Sequence, residues 1–175
     1  GFMLPVGQKL YDGSMQLRDV LLPHGFSLLL PGTSSPTPPP ARFVVEAFPK
    51  LFLALLRDPK QCSVEAFARL DVQRNMRDSL MANELFAKSD TLARRLAQLG
   101  LQLETPPHHV LADRDIVAAY VCGLSAVFLR LGLGGLLGDP TWGAFSTPHS
   151  TLWHPDWQPR VRSALVAGCA YQDLP

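Results

Sequence analysis

The chain is short of cysteine and of charge. Only Cys62, Cys122 and Cys169 are cysteines among its 175 residues, widely spaced and odd in number, and no CxxC pair exists. A zinc ribbon and a thioredoxin-type redox pair are thereby excluded, while one disulfide stays open if the chain is secreted. Charged residues make up 18% of the chain, and sixteen Lys and Arg against fifteen Asp and Glu leave a formal net charge of +1. With no long basic block and no acidic tail, nothing points to nucleic acid as a partner. Absent too are GxSxG, HExxH, a Walker loop and carboxylates paired at an obvious helical spacing, which points away from an enzyme. At the amino end, GFMLPVGQKLYDG carries no charged segment followed by an apolar run, so no signal peptide is visible and a cytoplasmic location is expected.

What the chain does have is apolar substance: 47% of it is hydrophobic. The stretch DRDIVAAYVCGLSAVFLRLGLGGLLGD, Asp113 to Asp139, contains fourteen residues without a formal charge, Ile116 to Leu129, apolar on every face. A helix of that composition has no polar side to turn to water and is expected to be wrapped by other elements. Spanning a membrane takes ~20 apolar residues. Extending the run brings in Arg130 and then Gly132, Gly134 and Gly135, so a buried core helix is expected over about 113–131, capped by Asp113 with Asp115 near its positive end. Membrane contact is the lesser reading. LGLGGLLGD, Leu131 to Asp139, lacks a third glycine at Leu137 and any Lys-Ser or Lys-Thr after it. Its glycines are therefore read as a helix terminus or a close-packing site rather than a phosphate loop.

Around this helix the sequence reads as mainly α: a single-domain helical bundle over 41–175, preceded by an irregular segment and Pro-rich connector over 1–40. Phe26 to Leu30, FSLLL, is the one place where a strand is expected. The run DGSMQLRDVLLPHGFSLLLPG, Asp12 to Gly32, resembles a stretch near the start of the thioredoxin-like C-terminal region of flavin-dependent aromatic hydroxylases. That resemblance implies alternating strands and helices beyond it, and no flavin-binding glycine fingerprint precedes it. TSSPTPPPA, 33–41, is a stiff connector that also contains a PxxP match. From Arg42 the apolar spacing of Phe43, Val44, Ala47, Phe48, Leu51 and Leu55 is helical, with Pro49 as a kink or a new start. Ser63 is a candidate N-cap, and 71–100 reads as an amphipathic helix ending at Gly100.

All three tryptophans fall between Pro140 and Pro159, with Phe145, His149 and His154 among them, on a segment rich in turns. A Trp-rich loop there, followed by a last helix from Gln158 to about Tyr171, either covers the core edge or offers Trp142, Trp153, Trp157 and Phe145 to a partner. His149 and His154, with Asp156 nearby, permit a metal, whereas the adjacent His108 and His109 diverge. The reading that follows is a non-enzymatic helical adaptor, chaperone or assembly subunit, binding another protein or a second copy through apolar and aromatic surface, with no cofactor. The competing reading is a metal- or cofactor-dependent helical protein, enzyme or ligand carrier, using the loop histidines.

Overall fold

The computed structural model describes residues 15–32, 41–61, 96–98, 100–102, 104, 107, 113–139, 143–165 and 169–174. The expected connector at 33–40, the Ser63 cap, most of the amphipathic segment 71–100, Cys62, His108, His109 and Trp142 lie outside these residues.

The long helix is where the sequence places it. It spans Arg114–Arg130 (α3, after α1 at 15–21 and α2 at Pro49–Leu55). Asp113, in extended conformation, accepts the amides of Asp115 at 2.8 Å and Ile116 at 3.0 Å. Gly132, at φ 69°, ends the helix in the left-handed region, and the Leu133 amide turns back to the Phe128 carbonyl at 2.8 Å. One expectation fails on this helix: it is not enclosed on every side. Ile116, Ala119, Gly123, Ala126, Val127 and Arg130 are exposed along one stripe, while Val117, Val121, Leu124, Ser125, Phe128 and Leu129 are buried. Half of the open stripe is Ala or Gly, while Ile116 and Val127 keep some apolar area in contact with water.

What the chain does next overturns the mainly α, all-helical bundle. Directly after the helix, Gly134–Asp139 (β4) and Gly143–Pro148 (β5) form an antiparallel pair, and Ala170–Asp173 (β6) joins β4 from the other side. Glu46–Ala47 (β3) runs parallel to β5, making a four-stranded sheet in the order β3-β5-β4-β6. Ser27–Leu28 (β1) and Phe43–Val44 (β2) form a second, two-stranded parallel sheet. The fold is mixed α/β. The strand expected within Phe26 to Leu30 is present, but it is one of several.

The strands before α2 have a local cause. Phe43, Val44 and Val45 are aromatic and β-branched, and their preference for an extended chain overrides the helical spacing. Pro49 then starts α2 as its first residue, where its missing N–H costs nothing. The Trp-rich loop is in part strand, since Phe145 lies within β5. The last helix covers only Trp157–Ala164 (α4), after which the chain becomes β6 rather than continuing to Tyr171.

The register of the sheet sorts its two faces. Gly134, Leu136, Ala144, Ser146, Gln172 and Leu174 point one way, and α3 packs on that side with α2 beside it. One core cluster lies between the helices, where Phe52 and Phe128 meet edge-on with ring centroids 5.5 Å apart and Leu53, Val121 and Leu96 close round them. A second joins Leu29, Leu129, Leu136, Ala144 and Leu174. The opposite face carries Phe145, Thr147, Tyr171 and Asp173. Among the described residues, no helix is long and apolar enough to cross a membrane.

The cap of α3 is a point at which the fold is testable. Asp113→Ala is expected to lower the unfolding free energy by about 1 kcal/mol, and Asp113→Asn, which keeps the accepting oxygen, by much less. Urea unfolding of the two variants beside the parent checks this.

Candidate functional site

The chemistry of the described chain gathers where the segment Pro148 to Trp157 folds over the sheet. β6 places Tyr171 and Asp173 two residues apart and therefore on one face. The Asp173 carboxylate there accepts from the Ser150 amide (2.7 Å), the Ser150 hydroxyl (2.6 Å) and the Tyr171 hydroxyl, with His149 Nε2 3.5 Å away. Trp153, 4% exposed, donates its indole N–H to the Pro148 carbonyl at 2.8 Å and lies against Tyr171 with ring centroids 4.6 Å apart. Burial first, then the hydrogen bond to Asp173 and its charge, push the Tyr171 phenol well above the ordinary tyrosine value. It is held as a donor.

Serine, histidine and aspartate thus meet, but not in the order that nucleophilic catalysis needs. A triad puts the imidazole between hydroxyl and carboxylate so that the ring takes the hydroxyl proton. Here Ser150 Oγ bonds the carboxylate itself, while His149 Nδ1 faces the Thr151 hydroxyl at 2.8 Å and the Thr151 amide at 3.2 Å. A neutral ring with its proton on Nε2 satisfies that pattern. The cluster pins the 3₁₀ turn Ser150–Leu152 to β6. Beside it is a cavity of about 280 Å³, walled on one side by Gln158, Val161, Arg162 and Leu165 and on the other by Ser150, Trp153, Tyr171 and Asp173.

A second cluster forms farther along the same segment. The His154 amide bonds the Leu55 carbonyl at 2.9 Å, and the Trp157 indole N–H bonds the Arg57 carbonyl at 2.8 Å. These two bonds tie the 154–157 turn to the end of α2, 100 residues away by the Arg57–Trp157 pair. They bring Asp58, His154 and Asp156 together, with one ligand atom of each within 4.8 Å of the others.

The residues singled out by sequence scatter across these contacts. Phe145 is half-buried on β5 with its ring 5.8 Å from that of Phe48. Trp153 is interior, and Trp157 is half-buried at the α2 end. His149 belongs to the Asp173 cluster and His154 to the Asp58 cluster, so the two histidines do not share a site. Sequence reasoning missed Ser150, Tyr171, Asp173 and Asp58. For Asp58 a local signal existed: in Asp-Pro-Lys its Oδ1 accepts the Lys60 amide at 2.9 Å, an Asx turn.

No protein-family model, no curated protein and no solved structure matches the chain, so the likeness of residues 12–32 to the hydroxylase region stands without support.

The buried phenol has a consequence for stability. Its folded-state titration lies above the ordinary value of 10.0, so its contribution is complete below about pH 10 and is lost as pH rises beyond it. Tyr171→Phe is expected to cost about 1 kcal/mol at neutral pH and to flatten the alkaline fall in stability, as read by urea unfolding at neutral pH and at about pH 11.

Proposed function

We propose that this chain is a non-enzymatic adaptor, chaperone or assembly subunit of mixed α/β architecture that binds another protein, or a second copy of itself, through apolar surface. The observation that carries the reading is the state of α1 and the strand after it. No residue from 15 to 28 is buried, yet this segment shows Leu17 at 57% and Val20 at 59% exposure, with Leu22 and Leu28 also open. Leu17 and Val20 are three residues apart and share one side of the helix. A short helix contributing nothing to the core is weakly stabilised on its own, and apolar contact with a partner would supply the packing that the chain does not.

Three features support the reading further. The near-neutral charge favours recognition by shape and apolar burial over electrostatic steering. Phe145 and Trp157 add partly exposed aromatic surface elsewhere, whereas Trp153 acts from the interior. The hydroxyl of Ser150 bonds the Asp173 carboxylate directly, and His149 turns its Nδ1 to Thr151 rather than to that hydroxyl. A cytoplasmic setting, in which the free thiols Cys122 and Cys169 stay reduced, belongs to the same proposal.

Native mass spectrometry of the full chain, gently purified from its own source, tests the proposal. The expected result is a stoichiometric complex with a second polypeptide or a second copy that Leu17→Glu/Val20→Glu dissociates while the thermal midpoint stays within a few degrees. An isolated monomer, or a complex indifferent to both substitutions, would overturn the reading.

A further inference from the structure

We propose that Asp58, His154 and Asp156 form a site for one divalent transition-metal ion of the zinc, cobalt or manganese class, with at least one coordination position left to water. The site is independent of the apolar surface on α1, and either can stand without the other.

The argument begins with the donor set. One imidazole and two carboxylates supply two negative charges and one nitrogen, which suits a divalent first-row ion. Calcium and magnesium prefer sites built of oxygen alone, and soft ions prefer thiolate. Ligands ~2.1 Å from a tetrahedral ion lie roughly 3.4 Å from one another, and the three atoms here are already within 4.8 Å. The remaining closure is within reach of side-chain rotation at Asp156, which is exposed and free to adjust.

The arrangement around the donors favours the same conclusion. Asp58 and His154 are both partly buried, which limits competition from solvent. Asp58 is oriented through one carboxylate oxygen, which accepts the Lys60 amide at 2.9 Å, leaving the other oxygen for an ion. The Asp156 amide approaches His154 Nδ1 at 3.4 Å. A bond that long engages the nitrogen's lone pair only weakly, so an ion at Nδ1 would displace little. The two segments are also tied independently of the donors, by the His154 amide to Leu55 and the Trp157 indole to Arg57. Ligands from distant parts of the chain are therefore brought together before any ion arrives, which lowers the ordering cost of binding.

An ion here would clamp the end of α2 to the turn that leads into α4. Three protein ligands leave the coordination sphere incomplete, the condition under which a metal keeps a water or takes a ligand group from a partner.

The test uses the full-length chain stripped with a chelator and titrated with Co²⁺, read by visible ligand-field absorption, and with Zn²⁺, read by calorimetry. The expected result is one ion per chain with a rise in the thermal midpoint. Asp156→Asn, on the exposed side, should weaken binding roughly tenfold or more with an unchanged circular dichroism spectrum, His154→Ala should abolish it, and His149→Ala should leave it intact. Failure of Co²⁺ and Zn²⁺ to bind the folded parent would overturn the proposal. So would binding that survives Asp156→Asn and His154→Ala together, or binding lost in His149→Ala, which would move the ion to the Asp173 cluster.

Discussion

The closeness with which other elements approach strand β4 is the constraint on which the rest of the structure depends. A side chain at Gly134 would meet Leu129 Cδ2 of α3 at 2.7 Å, one at Gly135 would run into the Tyr171 hydroxyl, and one at Gly138 would strike the backbone of Gly143 and Ala144. Three bare positions on one strand thus let α3, β6 and β5 all come in at once. Leu136 between them is fully buried and joins the second core cluster. The Tyr171 ring over Gly135 also covers the gap that a glycine leaves in a sheet, and the same ring donates to Asp173. Packing at β4 and the polar cluster above it are therefore one construction.

From that construction the segment Pro148 to Trp157 acquires its two sides. Its first half is held to β6 by the Asp173 carboxylate, and its second half is held to α2 by the His154 amide and the Trp157 indole. Polar side chains on the two sides answer different needs. Around Asp173 the donors and acceptors satisfy one another, which is the behaviour of a structural cluster. At Asp58, His154 and Asp156 one imidazole and two carboxylates lie within 4.8 Å of one another, a grouping that a cation would bridge.

Some of this is legible in the residue order and some is not. The α3 helix, its Asp113 cap and its end at the glycines follow from local chemistry, so periodicity and capping suffice to place them. The four-stranded sheet does not follow, because β4 is made of Gly and Leu, residues with no strand signature of their own. Its strand character comes from partners at β5 and β6. β6 is hidden for a related reason: Ala170 to Asp173 is brief and half-polar, and the helical spacing before it carries the eye through to Tyr171. His154 was readable as a ligand candidate because its type is informative. Asp58 was not, since only the folded chain joins the end of α2 to the turn before α4. The clustering of the tryptophans in sequence leaves core cover and a partner patch both open, and in the fold Trp153 and Trp157 each commit the indole N–H to a backbone carbonyl, one at Pro148 and one at Arg57.

The sheet's outer strands have a consequence for the fate of the chain at high concentration. β3 is two residues long and β6 four, so an incoming extended chain finds few free backbone groups with which to pair. Short edges of this kind are how proteins avoid templating their own fibrils. Of the longer strands, β4 is paired on both sides, by β5 and β6, and β5 is paired by β3 at Phe145 and Ser146. The β6 side of β4 lies open only before β6 has closed over it, so aggregation through that edge is a hazard of synthesis and refolding rather than of the finished state.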